Sequence, residues 1–151
     1  MCSSDLLQEA KELLNNFSEK FPSVSSYKAK VIGLAKTKGY ISTILKRRRY
    51  LPDINSKVVA FRAGAERQAF NTRIQGSAAD IIKLAMISAH DMIPKEAKMI
   101  LTVHDELVTL TPDNLVEETK QAIQQAMEGI NLLEVPLIAD IKVVQRWGDA
   151  K

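Results

Sequence analysis

Apolar residues along this chain recur mostly three or four positions apart, which is the spacing of an α-helix with one buried face. The spacing predicts helices over residues 6–17, 24–39, 58–72, 80–94 and 111–129. Phe21-Pro22-Ser23 should separate the first two helices, because proline cannot continue a helix that precedes it. Gly39 should end the second helix. Gly76 is a candidate break between the third and the fourth, or a point of close approach.

Three other stretches have the character of β-strands. Residues 40–52 predict a hairpin or extended segment, with the basic cluster Lys46–Arg49 at its turn or on its second arm. Residues 99–111 are too long for one strand and predict a hairpin, with the polar residues 104–106 at its tip. Residues 135–144 predict a last strand. Hairpin, helix and strand in this order predict a single α+β domain: a small antiparallel sheet backed by long helices.

Composition adds little to this picture, but it excludes some classes of protein. The chain has 151 residues, of which 46% are hydrophobic and 26% charged, as in an ordinary globular domain. No apolar run approaches the length of a membrane span, so we expect no membrane partner. The single cysteine, Cys2, cannot form an internal disulfide, which agrees with a reducing cytoplasm.

The distribution of charge is more informative than the net charge of +3. The stretch from Lys20 to Pro52 has nine basic residues and no acidic residue. The stretch from Leu101 to Asp140 has eight acidic residues, and Lys120 is its only lysine or arginine. This asymmetry favours contact of the first stretch with a polyanion such as nucleic acid. The alternative is a solvated basic surface.

Two polar patterns are candidates for chemistry. Asp105 and Glu106 lie between apolar Val103 and Leu107, and a carboxylate pair buried there without a partner would be costly. A hard cation such as Mg²⁺ would offset that cost, since Mg²⁺ binds one or two protein carboxylates. The alternative is a polar hairpin tip in water.

The second pattern is a row of side chains spaced i, i+4, i+8, which fall on one side of a continuous helix. Its members are Arg67, Asn71 and Gln75. Amide and guanidinium groups can donate to the minor-groove acceptors of DNA, which are similar for every base pair. The alternative is a polar helix face in water.

Residues 66–84 read Glu-Arg-Gln-Ala-Phe-Asn-Thr-Arg-Ile-Gln-Gly-Ser-Ala-Ala-Asp-Ile-Ile-Lys-Leu, and residues 103–106 read Val-His-Asp-Glu. Together they closely resemble the palm of the family A, DNA polymerase I-like, DNA polymerases. The resemblance extends from about Leu6 to the C-terminus. It implies a palm sheet with a catalytic hairpin, and template-directed transfer of deoxynucleotides to a primer 3′-OH in DNA replication or repair. Primer–template DNA, deoxynucleoside triphosphates and two Mg²⁺ ions are the implied partners and cofactors.

The resemblance also implies roles for individual residues. Asp105 matches a catalytic aspartate that holds the metal ions, and Glu106 matches a supporting acidic residue beside it. His104 matches a residue near the primer terminus. Arg67, Asn71 and Gln75 match contacts to the primer–template duplex. The cluster Lys46, Arg47, Arg48 and Arg49 predicts contacts to DNA phosphates from its charge alone. The alternative is a nuclear-localisation-like or simply exposed basic patch.

Some features of the family have no counterpart in this sequence. The Asp-Tyr-Ser-type motif with the second catalytic aspartate is missing, and so are the fingers helix, the thumb and any exonuclease domain. Arg73 stands where many relatives have proline or a small apolar residue, and residues 142–147 replace a more glycine-rich stretch. We therefore expect a C-terminal piece of a polymerase, in which residues 6–39 lead in from the fingers.

We expect this piece to need the remainder of the polymerase and to be inactive alone. A standalone duplex-DNA-binding module without catalysis and a truncated reading frame are the alternatives. The expected location is the bacterial cytoplasm, in association with the nucleoid, with an organelle as the other option.

Overall fold

The computed structural model describes residues 3–150, with side chains described for residues 8–149. Its helices are α1 (Ser3–Lys20), α2 (Pro22–Lys38), α3 (Val59–Met92) and α4 (Val116–Glu128). Its strands are β1 (Tyr40–Ser42), β2 (Arg48–Tyr50), β3 (Lys98–Val103) and β4 (Glu106–Leu110). Short 3₁₀ helices span Pro52–Asn55, Asp113–Leu115 and Trp147–Ala150. The predicted α+β class is confirmed, with β1–β2 and β3–β4 forming separate antiparallel sheets.

The chain forms two compact units that divide between Ile74 and Gln75. None of the helices in the described part of the chain is long and apolar enough to cross a membrane. Cys2 lies outside the described residues.

The boundaries of α2 are set by local backbone chemistry. Phe21 leaves the helical region with φ −125° and ψ 64°, and Pro22 begins the helix at a position where no backbone N–H is needed. Gly39 ends the helix in the left-handed conformation with φ 72°, and its N–H donates to the Ala35 carbonyl oxygen at 2.8 Å. Both predicted boundaries are confirmed.

The core of the first unit lies where α2, β1 and the start of α3 meet. Its buried residues are Val31, Ala35, Ile41, Leu51, Ile54, Ala65 and Ala69. Three of these residues are alanines, Ala35 on α2 and Ala65 and Ala69 on α3. Leu34, on another side of α2, stays half exposed, so the apolar face of this helix is narrower than the sequence predicts.

The helix α3 runs through Gly76 without interruption, so the predicted break is wrong. A glycine inside a helix costs only about 1 kcal/mol and keeps its backbone N–H, so the hydrogen-bond ladder can continue. Ala69 is fully buried, whereas Ile74 is 49% exposed.

The second unit contains the β3–β4 hairpin and α4. The strands pair with Lys98 opposite Leu110 and Val103 opposite Glu106, which leaves His104 and Asp105 as a two-residue loop. The predicted hairpin with its polar tip is confirmed. The apolar side chains buried in this unit belong to Ala85, Ala89, Ala97, Ala122, Ile123 and Ala126.

The predicted strand over residues 135–144 is wrong, because this segment has no regular secondary structure. A strand needs a neighbour that accepts and donates backbone hydrogen bonds. Here the Ala139 N–H donates instead to the Glu128 carboxylate, at 3.0 Å from Oε1. Leu137, Ala139 and Ile141 are partly buried, whereas Ile138 is 86% exposed, so one side of the segment is partly packed although it forms no strand.

Candidate catalytic hairpin and nucleic-acid interface

The tip of the β3–β4 hairpin has an unusual backbone. His104, the first loop residue, has φ 54°, in the left-handed region that favours glycine. A positive φ at the first of two loop residues is the pattern of a type II′ turn, a turn that matches the twist of paired strands. The turn thus holds His104, Asp105 and Glu106 together at the end of the hairpin.

The Asp105 and Glu106 carboxylates are both exposed. Asp105 lies in the loop, and Glu106 is the first residue of β4. The pair is therefore not buried, so the cost of burial that favoured a cation in the sequence does not arise. Two carboxylates still match the number that Mg²⁺ binds from a protein. Within residues 3–150, no group of three or more histidine, cysteine, aspartate or glutamate side chains could hold a metal ion.

The side chains of Arg67, Asn71 and Gln75 are exposed on the continuous helix α3. Residues four apart on a helix differ by about 40° in direction, so the three side chains spread over about 80° and share one side. The predicted row is present as a geometric feature. It can offer hydrogen-bond donors to acceptors placed along a line.

The loop of the β1–β2 hairpin carries the basic cluster. The Lys46 N–H donates to the Thr43 carbonyl oxygen at 3.0 Å, and the Thr43 N–H donates to the Arg47 carbonyl oxygen at 2.9 Å. Lys46 has φ 66°, in the left-handed region. A turn followed by a left-handed residue is a common three-residue hairpin loop, in which that residue is usually glycine.

Arg48 and Arg49 are successive residues of β2, so their side chains point to opposite faces. The Arg48 guanidinium lies over the Tyr40 ring, 5.0 Å from its centroid. Arg49 Nη1 is directed to Thr72 of α3, 3.4 Å from Oγ1. The predicted place of the cluster, at the turn and second arm of a hairpin, is confirmed.

Arg73 connects three elements of the first unit. Its Nη1 donates to the carbonyl oxygens of Ser42 at 2.8 Å and Thr43 at 3.2 Å, and its Nε donates to the Tyr27 hydroxyl at 3.1 Å. Sequence reasoning noted Arg73 only as a departure from the family pattern. The one signal in the sequence that Arg73 has partners elsewhere in the chain is that it is a charged residue where many relatives have proline.

A second link in this unit joins α2 and α3 through charge. The Lys36 ammonium lies 2.7 Å from Glu66 Oε1, with both side chains partly exposed. The hydrogen bond from Lys36 holds the pKa of the Glu66 carboxyl below its usual value, and the positive charges of Lys36, Arg62 and Lys28 act in the same direction.

Comparison with known proteins identifies the family. Residues 6–149 match the sequence model of DNA polymerase family A. The chain is 44% identical over 147 residues to DNA polymerase I of Streptococcus pneumoniae, covering 95% of this chain and 17% of that protein. It is 37% identical over 145 residues to the thermostable DNA polymerase I of Thermus aquaticus, again covering 17% of the relative.

A solved structure agrees with these matches. The polymerase domain of Pol1 from M. smegmatis, in complex with DNA primer–template and dNTP, superposes with a TM-score of 0.81 at 40% identity. The match covers 86% of this chain and 24% of that one. The chain spans about 17% of the length of the curated relatives it matches, and it belongs to DNA polymerase family A.

Proposed function

We propose that the protein to which this chain belongs is a DNA-directed DNA polymerase that adds deoxynucleotides to a primer 3′-OH. The observation that carries the proposal is the exposed carboxylate pair of Asp105 and Glu106 at a tight hairpin tip. The relatives named above are DNA polymerases I, and the solved relative is bound to primer–template DNA and dNTP. Both support primer–template DNA and deoxynucleoside triphosphates as the partners here.

In this proposal Asp105 is the metal ligand and Glu106 supports it. When bound, a pair of Mg²⁺ ions would lower the pKa of the primer 3′-OH and stabilise the attacking and leaving oxygens. The chain's own contribution is to hold two carboxylates at adjacent positions, Asp105 in the loop and Glu106 at the start of β4. The left-handed backbone of His104 starts this loop, and we propose that its imidazole lies near the primer terminus.

The remaining site residues are proposed to bind DNA. Arg67, Asn71 and Gln75 would donate to minor-groove acceptors, which lets a polymerase recognise a correctly paired duplex without reading its sequence. Lys46, Arg47, Arg48 and Arg49 would contact phosphates and displace condensed counterions. With chromosomal DNA as substrate, the proposed location is the bacterial cytoplasm, in association with the nucleoid.

The remainder of a polymerase chain, with its fingers and thumb, is the other proposed partner. Large apolar side chains of the second unit are exposed, among them Ile100 on β3, Leu110 on β4 and Ile138. Large apolar side chains exposed to water are costly, and a protein can cover them with another part of its chain. We propose that the remainder covers these side chains, and that the second catalytic aspartate lies there.

A chimera tests this function. The 147-residue matching segment of S. pneumoniae DNA polymerase I is replaced by the corresponding residues of this chain, and primer extension is measured with Mg²⁺. We expect extension by the chimera and its loss on Asp105→Asn. Circular dichroism and duplex binding report whether both proteins fold. A folded chimera that binds duplex DNA and does not extend a primer would support a duplex-binding module instead.

A further inference from the structure

The first unit contains a groove between α2 and the β1–β2 hairpin, with a volume of about 410 Å³. Five of its lining side chains are cationic and come from three elements: Lys30, Lys38, Lys46, Arg48 and Arg73. Of the described residues that line the groove, none is acidic. The positive charges of Lys30, Lys38, Lys46 and Arg48 repel one another, so an anionic ligand would be stabilised here.

The spacing of the cations indicates the size of this anion. Lys30 and Lys38 are eight residues apart on α2, which places their backbones about 12 Å apart along the helix axis. Lys46 and Arg48 come from the facing hairpin. This spread is wider than one phosphate group. It suits a chain of phosphates.

The groove also offers an aromatic surface that is already held in place. Tyr27 lines the groove and is 39% exposed. Its ring packs edge-on against Phe70, with centroids 6.4 Å apart, and its hydroxyl accepts a hydrogen bond from Arg73. A fixed ring beside a row of cations is the combination with which proteins bind single-stranded nucleic acid, with phosphates on the cations and a base stacked on the ring.

Lys46 gives an independent indication that this groove has a role. Its φ of 66° places it where glycine has no steric cost, and a side chain there costs on the order of 1 kcal/mol. The same residue lines the groove. Backbone strain of this kind is concentrated at binding and catalytic sites.

We infer that this groove binds a single-stranded segment of nucleic acid, with its phosphates on Lys30, Lys38, Lys46 and Arg48 and a base on Tyr27. The volume lies in the range of pockets for small molecules, enough for a nucleotide or two of a strand and too small for a duplex. The inference rests on the proposed function only in taking DNA as the partner. It assigns Lys30, Lys38 and Tyr27 to binding, and it makes Arg73 a positioning residue.

The test uses the full 151-residue chain and a short fluorescent oligothymidylate. Lys30→Gln/Lys38→Gln should weaken binding at least about tenfold, and lower the slope of log affinity against log salt by about 1.4 for the two lost cations. Lys83→Gln/Lys95→Gln removes two exposed lysines of the second unit and should leave the slope unchanged. Tyr27→Leu should weaken binding, whereas Tyr27→Phe, which keeps the ring, should not.

Competition and a duplex probe complete the test. Inorganic phosphate or dTTP at matched phosphate concentration should displace the oligothymidylate poorly, and duplex affinity should change little in the Lys30/Lys38 variant. Three results would overturn the inference: no binding of the oligothymidylate by the native chain, equal binding by the native and variant chains, or equal losses for single strand and duplex. Each of these leaves the chimera experiment free to support polymerase function.

Discussion

The Arg73 guanidinium on α3 donates a hydrogen bond to the backbone carbonyl oxygen of Ser42, the last residue of β1, at 2.8 Å. The same side chain donates to the Thr43 carbonyl oxygen and to the Tyr27 hydroxyl on α2. One planar cation thus fixes the start of the basic loop to two helices. The direction in which Lys46 and Arg48 point therefore depends on a residue that is outside their hairpin.

Replacing Arg73 by methionine should lower the free energy of unfolding by about 1–3 kcal/mol, because carbonyl groups now bonded to a cation would lose their partner. Arg67→Met is the matched control on the same helix. Arg67 is exposed, and its replacement should change the stability by less than about 0.5 kcal/mol. Urea denaturation of both variants makes the comparison. Equal effects would mean that the Arg73 hydrogen bonds contribute nothing specific.

Lys46→Gly should reduce DNA binding without reducing stability. Glycine removes one cation, which weakens binding. It also relieves the strain of the left-handed backbone, which stabilises the folded state. The added chain entropy of glycine in the unfolded state offsets this stabilisation by about 0.4–1 kcal/mol. Lys46→Val removes the same cation but should destabilise the protein, since a β-branched residue is strained at positive φ. Thermal denaturation and the salt dependence of duplex affinity separate the two effects.

Removing all four charges of the basic loop extends this experiment. A variant with glutamine at all four positions, Lys46, Arg47, Arg48 and Arg49, should release fewer counterions on binding. Its plot of log duplex affinity against log salt should therefore be flatter. A plot unchanged by the four substitutions would mean that the loop faces water in the complex.

The features predicted correctly from the sequence are those set by a few neighbouring residues. Pro22 begins a helix because its ring fixes φ, and Gly39 ends one because it adopts positive φ at no steric cost. The β3–β4 tip follows from the length of an apolar segment interrupted by three polar residues. The exposed row of Arg67, Asn71 and Gln75 follows from helical spacing alone.

The features missed depend on partners far away in the sequence. Residues 135–144 alternate like a strand, but alternation cannot reveal whether a neighbouring strand is available. Arg73 forms hydrogen bonds with Tyr27, Ser42 and Thr43. Each of these partners lies 30 residues or more before Arg73 in the sequence. Which face of the β1–β2 hairpin Arg48 and Arg49 each point to depends on the hairpin register, with Ser42 opposite Arg48.

The ion pair of Lys36 and Glu66 should make stability depend on pH in the acidic range. The pKa of Glu66 is lower in the folded state than in the unfolded state, so acid protonates the unfolded chain first. The contribution of the pair is complete above the ordinary glutamate pKa and is lost as the pH falls through the lowered value. Because both side chains are partly exposed, the contribution of the ion pair to the free energy of unfolding should not exceed about 1 kcal/mol.

Glu66→Gln is the variant that tests this dependence. The stability difference between native and variant chains, measured by urea denaturation over a pH series, should be present at neutral pH and close on acidification. Lys36→Met should behave in the same way, since it removes the other half of the pair. A difference that stays constant over the series would assign the effect to packing instead of charge.

Asp105→Asn in the polymerase chimera should lower single-turnover incorporation by at least about a hundredfold, the scale of losing one group that stabilises transition-state charge. Duplex affinity should stay nearly intact, because Asp105 is exposed and carries no positive charge for phosphates. Glu106→Gln should have a smaller effect, as expected for a supporting ligand. Substantial incorporation by the Asp105 variant would remove this residue from the metal site.

The isolated chain of 151 residues should not extend a primer. A two-metal site needs carboxylates that converge on ions about 3.5–4 Å apart. Asp105 and Glu106 are neighbours on one hairpin, and within the described range no third acidic, histidine or cysteine side chain joins them in a possible metal site. Asp113 and Asp140, the other aspartates of the acidic stretch, belong to a 3₁₀ helix and to the irregular segment 135–144.

Primer extension with the purified chain, Mg²⁺ or Mn²⁺ and all four nucleotides tests this prediction, with the polymerase chimera as positive control and Asp105→Ala as negative control. Extension by the native chain that disappears in the Asp105 variant would contradict it, because Asp105 would then be working with a second carboxylate from within this chain. Asp113→Asn and Asp140→Asn would identify that carboxylate. Extension that persists in the Asp105 variant would point to a contaminating polymerase, since it would not depend on the hairpin at all.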